Sequence, residues 1–128
     1  MKFALQINSS AHESNAGLIA CQLIEAALIQ GHQIIQVFFY HDGVYHALRY
    51  ATLPDDEANI RIRWQALAQQ GVDLVVCVSA AQRRGLLCDD EARRQGKLDN
   101  DLADGFRIGG LGQWMAATLE ADRIIVLG

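Results

Sequence analysis

Three segments of this sequence, Gln33–Phe39, 74–78 and Arg123–Leu127, are almost unbroken runs of Val, Ile, Leu, Phe and Cys. A strand with one wet face alternates apolar and polar residues, whereas a strand covered on both faces has no such need. These runs therefore predict strands sandwiched between two layers. Shorter apolar segments at 3–7 and 106–108 bring the set to five.

The intervening segments have helical character. Residues 16–30 carry only a thin polar stripe, Gln22 and Glu25, which predicts a heavily buried helix with Gly31 as its stop. Residues 57–70 put Ile60, Trp64 and Leu67 on one face, and Gly71 follows them. Asp55, Asp56 and Glu57 lie at the start of that segment, where negative charge suits a helix dipole. About one turn is expected at 80–84, and 111–121 place Leu111, Met115 and Leu119 on one face. Strands alternating with helices predict an α/β fold, with one domain over residues 1–128. Its mainly parallel five-stranded sheet has helices on both faces and right-handed crossovers, in the doubly wound, flavodoxin-like manner. The polar stretch 89–105 reads as a long loop, functional or mobile.

Composition excludes several classes. The chain has 128 residues, 51% hydrophobic and 20% charged, enough for a core without staples. A net charge of −4 lacks the basic footprint of a nucleic-acid binder, so no direct nucleic-acid contact is expected. The longest apolar window, 16–29, is broken by Gln22 and Glu25 and too short for a bilayer, so no membrane role is expected. Met1 and Lys2 precede only a strand-length apolar run, unlike a secretory signal. Three cysteines, an odd number without zinc-site spacing, predict a reduced, cytoplasmic protein without metal or bound cofactor.

In open α/β sheets the reactive crevice lies beyond the carboxyl ends of the strands. Four loops fall there: 8–15, 40–54, 78–85 and 109–112. The third lies in the run Val75-Val76-Cys77-Val78-Ser79-Ala80-Ala81-Gln82-Arg83-Arg84-Gly85. Cys77 closes a buried strand, and Ser79 is a candidate N-cap for the next helix. Free N–H groups at a helix start, with Arg83 and Arg84 one turn on, would lower a thiol pKa and make Cys77 a better nucleophile. Cysteine is also among the most buried residue types, so from spacing alone Cys77 reads first as a small core residue. Cys88 borders Asp89, Asp90 and Glu91, whose charge opposes a thiolate; it reads as a loop cysteine or as a resolving partner for Cys77. Cys21 reads as core.

Gly109-Gly110-Leu111-Gly112 lacks the third glycine and the downstream acid of a dinucleotide fingerprint, and reads as a tight turn. Asn8-Ser9-Ser10 could cradle a phosphate as in flavodoxins, which makes a nucleotide or flavin binder the alternative reading. His12, His32, His41 and His46 show no metal-ligand spacing. His41 and His46 flank the turn signal Asp42-Gly43 and, with Tyr40, Tyr45 and Tyr50, suit a pocket rim or a subunit interface.

Taken together, these motifs resemble the DsrE/DsrF-like family of small sulfurtransferase subunits, which includes TusD and DsrE. The run at 75–85 is similar to the family's stretch around its sulfur-carrying cysteine, which maps onto Cys77; Ser79 stands where alanine is common. Phe38-Phe39-Tyr40-His41-Asp42-Gly43-Val44 resembles the second-strand signature. Ile108-Gly109-Gly110-Leu111-Gly112 and Ala121-Asp122-Arg123-Ile124-Ile125 match the closing helix and strand. The resemblance implies a persulfide relay in which Cys77 is loaded by a small TusA-like carrier and discharged to a TusE/DsrC-like acceptor. It also implies assembly with homologous TusB/TusC-like (DsrH/DsrF-like) subunits into a hexamer. The sulfur would serve 2-thiouridine formation at the tRNA wobble position or dissimilatory sulfur oxidation. Ser79, Arg83 and Arg84 would support the site, a non-catalytic subunit with an inert Cys77 is a further alternative, and Cys88 departs from the pattern and receives no role.

Overall fold

A computed structural model describes residues 1–55 and 59–128. Along the chain lie β1 (Lys2–Ile7), α1 (Ala16–Ile29), β2 (Gln33–Phe39) and a 3-10 helix (His41–Ala47), followed by α2 (Ile60–Gln69) and β3 (Leu74–Cys77). Then come α3 (Val78–Arg83), α4 (Asp89–Arg94), β4 (Phe106–Gly109), α5 (Leu111–Glu120) and β5 (Arg123–Leu127). The strands form one sheet in the order β4-β3-β2-β1-β5, every pair parallel. The chain steps outward from β1 to β4, then returns through α5 to set β5 on the other side of β1.

Adjacent residues of a strand point to opposite faces. Phe38 stacks on Trp114 of α5, with ring centroids 5.4 Å apart. Phe39 meets Trp64 of α2 edge-on at 5.0 Å on the other face. Two consecutive aromatics thus hold helix layers against both sides of β2, as the unbroken apolar run predicts. Trp64, Phe38, Phe39, Leu5, Ile7 and Ile24 are among the largest fully buried side chains.

Several boundaries differ from expectation. β3 ends at Cys77, because Val78 is already helical. The helix expected from 57 is described from Ile60, with Asn59 capping it through Arg61 N–H; the acidic start at Asp56 and Glu57 lies outside the described residues. The loop after β2 winds into the 3-10 helix. The stretch 89–105 contains α4, whose first turn holds Asp89, Asp90 and Glu91 and whose last holds Arg93 and Arg94, in keeping with the helix dipole. Beyond α4 it is tied down by an antiparallel bridge between Leu48 and Leu102, and by Asp101, which accepts from Leu87 N–H at 3.0 Å.

The largest departure concerns α5 and β5. Helix α5 buries Trp114 and Ala117 against the sheet, while Leu111, Met115 and Leu119 face outward, Leu119 being 85% exposed. β5 is an edge strand, and its Ile124 and Val126 are exposed. Both pair in register with Ala4 and Gln6, whose β2 partners are Gln36 and Phe38. They therefore share the α5 side of the sheet. Gln113 bonds Arg107 of β4, so Met115, about 200° around the helix, stands on the flank toward β1 and β5. The α5 side of edge strand β5 is thus uncovered at Ile124 and Val126, and the neighbouring face of α5 is apolar.

Candidate functional site

Strand β3 carries Cys77 to the carboxyl edge of the sheet. Its Cα partner on β4 is Gly109, and on the other side Phe39 pairs with Val76, so Tyr40 follows beside Cys77. Only glycine fits at 109, since a Cβ there would lie 2.6 Å from Val75 Cγ1. Cys77 itself occupies the N-cap of α3, with φ −62° and ψ 121°. This corrects the expectation for Ser79, which sits exposed in the first turn of α3 and makes no capping bond. Cys77 is therefore even closer to the free N–H groups of the helix start than the sequence suggests. Val75 and Cys77 alternate onto the α5 side of the sheet, with Phe38 and Trp114. Cys77 is 1% exposed.

The two arginines diverge. Arg84 donates from Nε to Asp42 Oδ1 at 2.8 Å and from Nη1 to Ala80 O at 3.1 Å. It is thus bound to the segment after β2 and to its own helix rather than free. The hydrogen bond from Arg84, with a smaller one from Glu13, holds the Asp42 carboxyl below the usual carboxylate range. Arg83 is exposed and makes no ion pair among the described residues. Beside Asp42, His41 is the one non-glycine residue with positive φ among those described, at 49°. Its ring lies 4.2 Å from that of Tyr40. Sequence reasoning read Asp42 as part of a turn and Tyr40 as a rim or interface residue, and did not place either near Cys77. The signal for that placement was their position directly after β2, one strand away from the cysteine.

The other cysteines sit in different surroundings. Cys21 is buried inside α1, and burial pushes its thiol up to about 12 against the opposing pull of Arg63. Cys88 is half-buried at the N-cap of α4. All three are free thiols.

The serine loop after β1 is turned on itself. Ser9 and Ser10 are buried; Ser9 Oγ bonds Ser14 Oγ at 2.6 Å, and Ser10 Oγ donates to Glu13. Those hydroxyls are not presented to a phosphate, which removes the main support for a flavodoxin-like binder. His46 is also buried, contrary to a rim position. Its Nε2 donates to Ser9 O at 3.0 Å, its Nδ1 accepts from Trp64 Nε1, and burial lowers its pKa to about 4. Tyr45 and Tyr50 are exposed, so the aromatic loop is a mixed surface rather than a continuous patch. Among the described residues no helix is long and apolar enough to cross a membrane.

The fold is an open parallel α/β sheet that carries a buried cysteine at its carboxyl edge, at a helix start. The chain belongs to the DsrE/DsrF-like family, whose model matches residues 1–127. It is 50% identical over 129 residues to "Putative sulfurtransferase DsrE" of Allochromatium vinosum, covering 100% of this chain and 99% of that protein. It is 40% identical to "Sulfurtransferase TusD" of an Enterobacter species (strain 638), covering 98% of each. The crystal structure of the YchN protein of E. coli shares the fold, with a TM-score of 0.79 at 23% identity over 98% of both chains.

Proposed function

We propose that Cys77 is the sulfur carrier of this protein. The protein is a sulfurtransferase with a role in a sulfur relay, in line with its full-length likeness to sulfurtransferases at 50% and 40% identity. The Cys77 thiolate attacks the outer sulfur of a donor persulfide. The donor's S–S bond breaks, its inner sulfur leaves as a thiolate, and Cys77 holds the transferred atom as Cys–S–SH. An acceptor thiolate then attacks that outer sulfur and regenerates the Cys77 thiolate. No net oxidant is needed at either step. The observation that carries this reading is the place of Cys77 at the sheet's carboxyl edge and at the N-cap of α3.

The outer sulfur extends about 2 Å beyond Sγ. With Cys77 1% exposed, loading requires movement at the β3–α3 junction, which a docked partner would induce. Exposed Arg83 and Ser79 lie where such a partner would rest, and Arg84 holds the junction through Asp42. The donor is a small TusA-like carrier, and the acceptor is a TusE-like or DsrC-like protein cysteine. Homologous TusB/TusC-like (DsrH/DsrF-like) subunits complete a cytoplasmic assembly. They would cover the apolar surface formed by Leu111, Met115, Leu119, Ile124 and Val126, which is exposed in the single chain. Sulfur delivery serves tRNA wobble thiolation if the acceptor is TusE-like, and sulfur oxidation if it is DsrC-like.

Mass spectrometry after incubation with a persulfidated TusA-like donor tests the carrier. The expected result is a gain of about 32 Da, one sulfur atom, on the Cys77 peptide and none in Cys77→Ser. Loading that persists in Cys77→Ser overturns the assignment. Discharge to each acceptor in turn distinguishes the two pathways.

A further inference from the structure

Helix α5 leaves the end of β4 and reaches β2, where Trp114 stacks on Phe38. Strand β3 lies between those two strands, so the first turn of α5 crosses its carboxyl end. Phe38 is level with Val75, and Gly109 is level with Cys77. The residues of α5 before Trp114 therefore pass over Cys77, on the face of the sheet that its side chain shares. That first turn is apolar at Leu111 and polar at Gln113.

The amide of Gln113 is held in one orientation. A Cβ at Gly109 would lie 3.0 Å from Gln113 Oε1 and 3.2 Å from its Cδ, so this amide occupies the space that glycine leaves beside Cys77. Oε1 accepts from Arg107 Nη1 at 2.5 Å. Arg107 in turn donates from Nε and Nη2 to the two carboxylate oxygens of Asp73, at 2.7 and 2.8 Å. With Oε1 taken, Nε2 is the end of the amide left to donate. Neighbouring strands run about 4.8 Å apart, which puts the amide carbon within about 8 Å of Cys77 Cβ. The outer sulfur of a persulfide stands about 3 Å from that Cβ and closes most of the gap. A persulfide is more acidic than its thiol, so this sulfur is an anion at neutral pH, and a charged acceptor draws strong hydrogen bonds.

We propose that Gln113 holds the outer sulfur of the Cys77 persulfide by donating to it from Nε2, with Arg107, fixed by Asp73, as the positioning residue. The proposal rests on Cys77 being the sulfur carrier. Its test is the equilibrium share of sulfur between Cys77 and a persulfidated TusA-like donor, read by intact mass. That share depends on the stability of the loaded thiol and not on how well the donor docks. Gln113→Met is expected to lower the equilibrium constant about tenfold, the worth of a hydrogen bond to a charged group. Gln113→Glu keeps an acceptor for Arg107 but turns a carboxylate toward the sulfur, and should lower it at least as far. A purely structural Gln113 predicts the reverse, a Glu variant as good as the parent. Arg107→Met should lower the constant alone and add little to Gln113→Met, because it acts through the same amide. Parent-like loading in Gln113→Glu, or additive effects of the two Met substitutions, overturns the proposal while leaving Cys77 as carrier. Absence of loading in the parent overturns the carrier assignment, and this proposal with it.

Discussion

Arg84 donates from Nε to Asp42 Oδ1 at 2.8 Å, joining the end of the helix behind Cys77 to the segment that follows β2. A loop and a short helix that flank the same thiol are thereby held as one unit. Because Asp42 is held below the usual carboxylate range, the pair persists through neutral and mildly acidic pH. It is lost only as pH falls through that lowered value. Arg84→Ala should slow the loading of Cys77 while leaving the melting temperature near that of the parent, since the two side chains are 24% and 43% exposed. Rapid-quench mass spectrometry and thermal melts measure the two effects. Unchanged loading would reduce Arg84 to a structural residue.

The three thiols should separate by environment. Cys21, buried and with its pKa pushed up to about 12, should resist iodoacetamide at pH 8 until the protein unfolds. Cys88 is half-buried at a helix start whose first turn is acidic, on a different element from Cys77. Cys88→Ser is expected to keep both sulfur loading and transfer. Peptide mapping of alkylated protein, alongside transfer assays of the variant, checks both points. Loss of transfer with loading intact would give Cys88 a part in the relay.

His46 makes stability depend on pH. Its folded pKa, about 4, lies below the usual value of 6.5 because burial disfavours the charged ring. The unfolded chain therefore binds more protons between those values, and stability falls as pH drops from 6.5 toward 4. The loss is about 2 kcal/mol at pH 5 and about 3 kcal/mol below pH 4. Urea unfolding at pH 7 and pH 5 measures it. His46→Gln, less stable at pH 7 through imperfect packing against Trp64, should show a flatter pH profile; an equally steep one would place the dependence elsewhere.

The apolar surface of α5 and β5 should govern association. Met115→Glu combined with Val126→Lys puts charges on two exposed positions that carry no core packing. Light scattering of the parent, alone and with its homologous subunits, is expected to show assemblies that the double variant does not form. Equal masses for parent and variant would move the interface to another face.

The alternation of apolar strands and amphipathic segments was enough to predict a parallel sheet between helix layers, because burial on both faces leaves consecutive apolar residues at Val37–Phe39 and Leu74–Cys77. The likeness of the 75–85 run to a sulfur-carrying cysteine was also legible, as it depends on contiguous residues. Local signals failed where the answer depends on neighbours far along the chain. Ser79 has the chemistry of an N-cap, yet the helix starts at Val78, two residues earlier than a Ser79 cap would set it, because the strand already ends at Cys77.

The same distinction explains α5 and β5. Leu111, Met115 and Leu119 do share a face, but periodicity cannot say whether that face meets the sheet. The choice fell to Trp114 because Phe38 lies opposite it. β5 is as apolar as an inner strand, yet the return of the chain past β1 places it at the edge. Arg84 looked like a free cation until Asp42, 42 positions away, was found to hold it. Sequence by itself determined which segments must be buried and which thiol stands at a strand's end, since hydrophobicity and local backbone preference are properties of consecutive residues. Only the tertiary structure decided strand order, the pairing of charges and the uncovered face, since each depends on contacts between segments that the chain brings together only on folding.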